Sequence, residues 1–302
     1  MNDNKNFIYE KVTVQILDDL MRGQIPWRNV RIQRKGEKWP YTNPYSKTVY
    51  SPFNAMLLGR PGEWATIKQI NDHGGRVKKG SKGKVVIKWI PFEPKKHREE
   101  IERLKAEGKS YDHLLAFDLR YYTVFNLDDT EGLKPREAEA EQPQMQAAEN
   151  PTAFADVVIR DYRTSENVRI VAAPDDTAAA WHPATDTVEV PGKETYALEE
   201  DWYATLFGQL VHSTSTEKRC NRAKEYEDIC AGAPSLREEL TAEIGSSMLL
   251  STCGLERAET KQQISAQCKR WIDAMNSDVR LIVQAAPKAE KAAKYILGDF
   301  AA

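Results

Sequence analysis

Gly74-Gly75-Arg76-Val77-Lys78-Lys79-Gly80-Ser81-Lys82-Gly83-Lys84 runs straight into Val85-Val86-Ile87-Lys88-Trp89-Ile90, and this stretch decides the fold of the chain's front part. Its first half is a glycine-punctuated basic turn. Its second half is rich in the β-branched and aromatic residues that favour strands. Upstream, the spacing of Phe7, Ile8, Val12, Ile16, Leu17, Leu20 and Met21 is helical, with Gly23 placed to cap the helix end. Pro26 restricts its predecessor and makes 24–28 an extended stretch. A second helix is expected from Ser51 or Asn54 through Met56, Leu57 and Leu58, and a third over 66–73, stopped by Gly74-Gly75. Downstream come a charged helical stretch over 93–109 and a strand over 120–126. Helices, a small sheet and a basic hairpin together make an α+β domain over 1–133.

With 302 residues there is chain for about two domains. The 41% hydrophobic and 29% charged content is that of a globular protein rather than a disordered one. No apolar run approaches the ~18 residues of a membrane span, and Met1 to Lys11 lacks the apolar core of a signal peptide. A cytoplasmic protein with no membrane partner is the expectation. The net charge of −2 hides a division: residues 1–98 hold 20 Lys and Arg against 8 Asp and Glu, whereas the remainder holds 23 against 37. A polyanion-facing task belongs at the front.

Residues 134–151 are mostly Glu, Gln, Ala and Pro, with Met145 the one sizeable apolar side chain, and read as a linker. Beyond it, short strands over 168–172 and 187–190 precede helices over about 198–222, 235–251, 259–275 and 278–297. Cys220, Cys230, Cys253 and Cys268 form no CxxC pair and are expected as reduced thiols on or near helices.

Cations at Arg28, Arg31, Arg34, Lys35 and Lys38, and again at Arg76, Lys78, Lys79, Lys82 and Lys84, alternate with Trp27, Trp39, Tyr41, Tyr45, Tyr50 and Phe53. A single nucleic-acid strand exposes phosphates and unstacked bases, so a protein gripping it needs charge for the first and flat π-faces for the second. Trp27, Arg28, Arg31, Tyr41, Tyr50, Arg76, Lys78, Lys79, Lys82 and Lys84 are the candidate contacts. Trp64 and Trp89 sit in apolar surroundings and read as core.

The order Ile25-Pro26-Trp27, Tyr50, Asn54-Ala55-Met56-Leu57-Leu58, Gly74-Gly75-Arg76-Val77-Lys78-Lys79-Gly80, Tyr122-Thr123-Val124-Phe125-Asn126 and Glu131-Gly132-Leu133 resembles the N-terminal domain of ArdC-type antirestriction proteins. The resemblance implies single-stranded DNA as the partner and adds Asn54 to the contact set. It also implies a second, zincin-like domain, mainly helical with a small sheet, over 152–302. There, Trp181-His182-Pro183-Ala184-Thr185-Asp186 resembles the strand region ahead of the family's active-site helix, which Tyr203-Ala204-Thr205-Leu206 would open.

Where that family carries His-Glu-Leu-x-His-x-Thr-Gly, this chain has Gly208-Gln209-Leu210-Val211-His212-Ser213-Thr214-Ser215. Two histidines at i and i+4 ligate zinc from one helical face, and the intervening Glu activates the bound water. Gly208 offers no ligand, and the neutral amide of Gln209, at the general-base position, cannot take a proton. His212 is left as a vestige, with Glu239 or Glu243 on the following helix as the third-ligand acid; His182 falls on the strand side. No catalytic residue and no cofactor are expected, zinc belonging to active relatives. The expected function is a non-catalytic single-stranded-DNA-binding antirestriction protein of a mobile element, whose peptidase-like domain acts as scaffold or as a surface for a host restriction or other defence protein. The competing readings are an active zinc metallopeptidase with an unusual site, and a module for RNA or an acidic protein.

Overall fold

The computed structural model describes residues 2–133, 150–174, 177–223 and 235–302. The expected linker lies outside these up to residue 149, as does Cys230; Cys220, Cys253 and Cys268 are free and buried.

The chain opens with α1 (Asn2–Met21). A five-stranded mixed sheet follows, built from β1 (Tyr41–Asn43), β2 (Thr48–Val49), β3 (Gly62–Thr66), β5 (Lys84–Phe92) and β6 (Ala116–Asn126), in the order β2-β1-β3-β6-β5. β1 and β3 run parallel and are joined by α2 (Pro52–Leu58); the other pairs are antiparallel. Local chemistry sets the helix ends. Ser51 caps α2 by accepting from the Asn54 amide, Pro52 supplies a pre-set first turn, and Gly59 closes the helix at φ 75°. Thr66 and Gln69 form a capping box on α3 (Ile67–Asp72). β4 (Arg76–Val77) pairs with β7 (Thr130–Glu131). The charged stretch contains α4 (Arg98–Ala106), which buries Ile101.

Residue 151 belongs to a helix rather than to a linker. α5 (Pro151–Glu166), which the pattern of the sequence did not announce, starts at the Asn150 cap with Pro151 in its first turn, and it buries Ala155, Val158, Ile159 and Tyr162. A three-stranded sheet, β8-β10-β9, combines β8 (Arg169–Ala172), β9 (Ala180–His182) and β10 (Thr187–Val190). α6 (Glu199–Ser213) stops nine residues short of the expected end at 222, where the chain turns back on itself. Three long helices complete the fold: α7 (Leu236–Cys253), α8 (Lys261–Ser277) and α9 (Leu281–Leu297).

One buried apolar cluster joins α1, the Ile25–Ile32 segment, α2 and one face of the large sheet to α5, α6, α7, α8 and α9. A smaller cluster of Tyr50, Leu58, Trp64, Val86 and Val124 covers part of the opposite sheet face. The chain's end closes on its front, with Ala301 bridged to Arg34 and the Ala302 amide donating to the Gln33 carbonyl at 2.9 Å. Among the described residues no helix is long and apolar enough to cross a membrane.

Candidate nucleic-acid interface and zincin-like site

The basic turn is held by the acidic segment that follows β6. The Lys78 amide donates to the Asp129 carbonyl at 2.9 Å, its Nζ to the Asp128 carbonyl at 2.8 Å, and Arg76 pairs with Glu131 at 2.6 Å. Arg76 and Lys78 are exposed, yet much of their hydrogen-bonding capacity is spent on anchoring the turn. Lys79, Lys82 and Lys84 have no ion-pair partner among the described residues.

Beside this turn lies an open groove of about 840 Å³, lined by Tyr41, Arg28, Arg60, Lys82 and Lys84, with Asp19, Asp129 and Glu259 as acidic members. Arg60 stands over the Trp64 ring at 5.8 Å and pairs with Asp129 at 2.7 Å. Tyr41 is half-buried and packs at 5.5 Å against Trp39; burial raises its hydroxyl pKa, partly offset by the charge of Arg31. The same sheet face continues along β5 and β6. Lys88 lies opposite Arg120, and Val86 lies opposite Tyr122, whose ring is 40% exposed. Arg60, Lys88, Arg120 and Tyr122 were absent from the expected contacts. Period-two alternation along β5, which sets Lys84 and Lys88 on one face, was the available signal.

Several expected contacts serve the fold instead. Trp27 is fully buried and meets Trp271 edge-on at 6.3 Å, so it offers no stacking face. Tyr50 is buried, and its hydroxyl donates to the Trp64 carbonyl at 3.3 Å. Asn54 donates to the Ile87 carbonyl and accepts from the Ile87 amide, both at 2.9 Å, completing the edge of β5. Arg28 points across to Glu243 and Glu259, each at 3.0 Å, and to Gln267. Arg31 pairs with Glu37 and lies over Trp39. Trp64 is core as expected, but Trp89, expected there too, is 38% exposed.

In the second portion, Gly208, Gln209 and His212 all lie on α6. The acid that meets His212 is neither Glu239 nor Glu243. Glu239 pairs with Arg270 and Glu243 with Arg28, because each projects from α7 toward a different neighbour. Glu238, fully buried, places Oε1 3.2 Å from His212 Nδ1. Its carboxylate is also gripped by Arg222, Nη2 to Oε1 at 2.8 Å and Nε to Oε2 at 3.0 Å. Burial pushes the Glu238 carboxyl upward, but hydrogen bonds from His212 and Arg222, with the Arg222 charge, more than offset this and hold it below the usual range. His182, on β9, pairs with Glu189 of β10 at 3.1 Å, away from this group.

A zincin-like domain implies a metal, and the described side chains do not fit one. Gly208 supplies no donor, Gln209 no base, and Glu238, the carboxylate that meets His212 among the described residues, is paired with a guanidinium. Among the described residues, no group of three or more His, Cys, Asp or Glu could hold a metal ion.

Two family descriptions match the chain: the N-terminal domain of anti-restriction factor ArdC over residues 6–125, and a zincin-like metallopeptidase over residues 162–288. Among curated proteins, a DNA primase TraC of Escherichia coli is 26% identical over 98% of this chain, and a second TraC is 27% identical over 98%. The chain spans only 20% and 28% of the length of those relatives. The protein y4eC of Sinorhizobium fredii is 25% identical over 96% of this chain and 91% of its own. Of solved structures, the metal-free antirestriction ArdC protein of plasmid R388 superimposes with a TM-score of 0.60 at 26% identity, covering 96% of this chain and 97% of its own. Its Mn(II)-bound form gives 0.60 at 25% identity.

Proposed function

Because this chain is an ArdC-type protein, with that family's N-terminal domain ahead of a zincin-like domain, we propose that it binds single-stranded DNA on the open face of its large sheet and does so without peptidase chemistry. The observation that carries this reading is the convergence of Tyr41, Arg60, Lys82 and Lys84 on one groove, continued by Lys88, Arg120 and the exposed Tyr122 ring. Cations spaced along a sheet face, with an aromatic ring among them, suit a strand whose phosphates and bases are both accessible. The basic turn, with Lys79 unpaired among the described residues, extends the positive surface. In this reading the protein accompanies the DNA of a mobile element, and the zincin-like portion is a scaffold or a surface for a host restriction or other defence protein.

Fluorescence anisotropy with labelled single-stranded DNA, duplex DNA and RNA across a salt series tests it. Single-stranded DNA is expected to bind tightest. Lys82→Ala/Lys84→Ala/Lys88→Ala is expected to weaken that binding about tenfold or more and to lower the log–log salt slope by about 2, since each lost phosphate contact removes ~0.7. Equal weak binding to single strand and duplex, or an unchanged slope in the variant, rejects the assignment. Preference for RNA would move the same face to a different partner.

A further inference from the structure

We infer that the single strand on the open sheet face continues round the edge strand β5 to a second subsite, where the Trp89 ring stacks on a base and Lys291 of α9 meets a phosphate. This rests on the reading of the open face as a DNA surface, and it gives the zincin-like portion a direct share in binding.

β5 presents two different faces. Val86 belongs to the small cluster on the open side of the sheet, and Ile87 to the main core on the other. By alternation Lys88 follows the first and Trp89 the second. The Trp89 ring, 38% exposed, walls an open notch of about 370 Å³ between β5 and α9. Phe53 and Ile87 give the notch its apolar surface, and Pro287, Lys291 and Lys294 form the α9 side. Trp89 lies opposite Leu119 and Pro91 opposite Phe117, which makes Phe117 the diagonal neighbour of Trp89 on the same face. Phe117 is 47% exposed, so the hairpin offers a second ring beyond the notch.

Side-chain amides close the edge of β5 only as far as Ile87: Gln15 takes the Val85 amide, and Asn54 takes both polar groups of Ile87. Antiparallel alternation sends the backbone groups of Trp89 to the same edge, where no described side chain meets them. A strand crossing there finds a backbone amide, an indole face and a lysine together. The acid of the notch, Glu290, is already matched, since the Phe53 amide donates to it and Lys294 pairs with it at 3.4 Å. Lys291 has no ion-pair partner among the described residues and supplies the surplus charge. On the open face, one residue back, Lys88 stands opposite Arg120, so cations flank the edge on both sides. Surplus positive charge beside exposed rings suits a polyanion with unstacked bases. An amphipathic peptide helix, about 10 Å across, would need a longer apolar trough.

The full chain is titrated with labelled oligothymidine of about 10 and about 30 nucleotides, the shorter filling one face and the longer able to round the edge. Trp89→Ala is expected to weaken the longer oligonucleotide about tenfold, the loss of one stacked base, and to leave the shorter within about twofold. Lys291→Ala should lower the log–log salt slope of the longer one by ~0.7, the share of one phosphate contact. In the unaltered chain, photo-cross-linking with an oligonucleotide carrying 5-iododeoxyuridine, mapped by mass spectrometry, should label Trp89, so the decision does not hang on the folding of a variant. The inference is overturned if Trp89 takes no label, or if folded Trp89→Ala binds the longer oligonucleotide as the parent does. Labels at Tyr41 or Tyr122 without Trp89 would overturn it while supporting the open face. A label at Trp89 alone would support it and reject the open face. Absence of any label, with a labelled oligoglutamate peptide binding in a manner that Lys291→Ala abolishes, would assign the notch to an acidic protein and overturn both.

Discussion

Trp27 lies with its indole against Trp271 and no exposed surface, so its contribution is to packing. Trp27→Ala is expected to cost about 3–5 kcal/mol of stability in denaturant titrations; single-strand affinity of the fraction that stays folded should hold. A loss of DNA binding with unchanged stability would return Trp27 to the interface. Asp186 shows the charged counterpart. It accepts from both Arg219 Nη atoms, at 2.9 and 2.5 Å, from Trp181 at 3.2 Å and from Lys218 at 3.3 Å. Burial raises its carboxyl, yet these bonds and the Arg219 charge leave it below its ordinary value. The resulting stabilisation is full above about pH 4, the unfolded value, and is lost as pH falls through the lower folded value. Asp186→Asn should therefore be less stable than the parent near pH 6, and the gap should shrink below pH 4 in urea midpoints measured from pH 6 to 2. A constant gap would show that the Asp186 charge is not what stabilises.

At the scale of elements, β5 is an edge strand whose outward backbone groups would otherwise be unpaired. Side-chain amides complete it. Asn54 of α2 takes both polar groups of Ile87, and Gln15 of α1 accepts from the Val85 amide at 2.9 Å while donating to the Leu57 carbonyl at 2.8 Å. Asn54→Ala should cost about 1–3 kcal/mol, because it leaves two strand groups without partners. Its DNA affinity per folded molecule should match the parent; a selective loss of affinity would restore Asn54 to the contact set. The resemblance implies a contact role for this residue, whereas its amide is spent on both backbone groups of Ile87. α6 carries the opposite lesson. The sequence predicts a helix to about 222, but the chain reverses after Ser213, and this reversal brings Arg222 back to Glu238. Helix propensity carried no sign of a turn whose stabilising partner lies 16 residues further on.

At the scale of the molecule, the front portion does not close a separate core. Val12, Ile16 and Leu20 of α1 share a cluster with Met275 and Ile282. Arg28 reaches Glu243 and Glu259, the Ile32 amide donates to Thr252 at 2.9 Å, and Thr13 donates to the Val279 carbonyl at 2.6 Å. Residues 1–133 and 150–302 produced as separate chains in one cell should therefore purify as a 1:1 complex. Two monomers eluting independently would show that the shared surface is too weak to hold without the covalent link.

What the sequence by itself determined is local or additive. It set the helical and strand periods, the caps at Ser51 and Thr66, the excess of cations at the front, and the absence of a ligating side chain at Gly208 and of a proton acceptor at Gln209. Residue type alone decides each of these. Tertiary structure decided which faces are covered, since a side chain's exposure depends on segments that arrive from far along the chain. Trp27 became core because Trp271 packs on it, Trp89 remained open, and Asn54 met a strand edge 33 residues away. The partner of His212 became Glu238 rather than its neighbour Glu239, because one residue along a helix turns a side chain by about 100°.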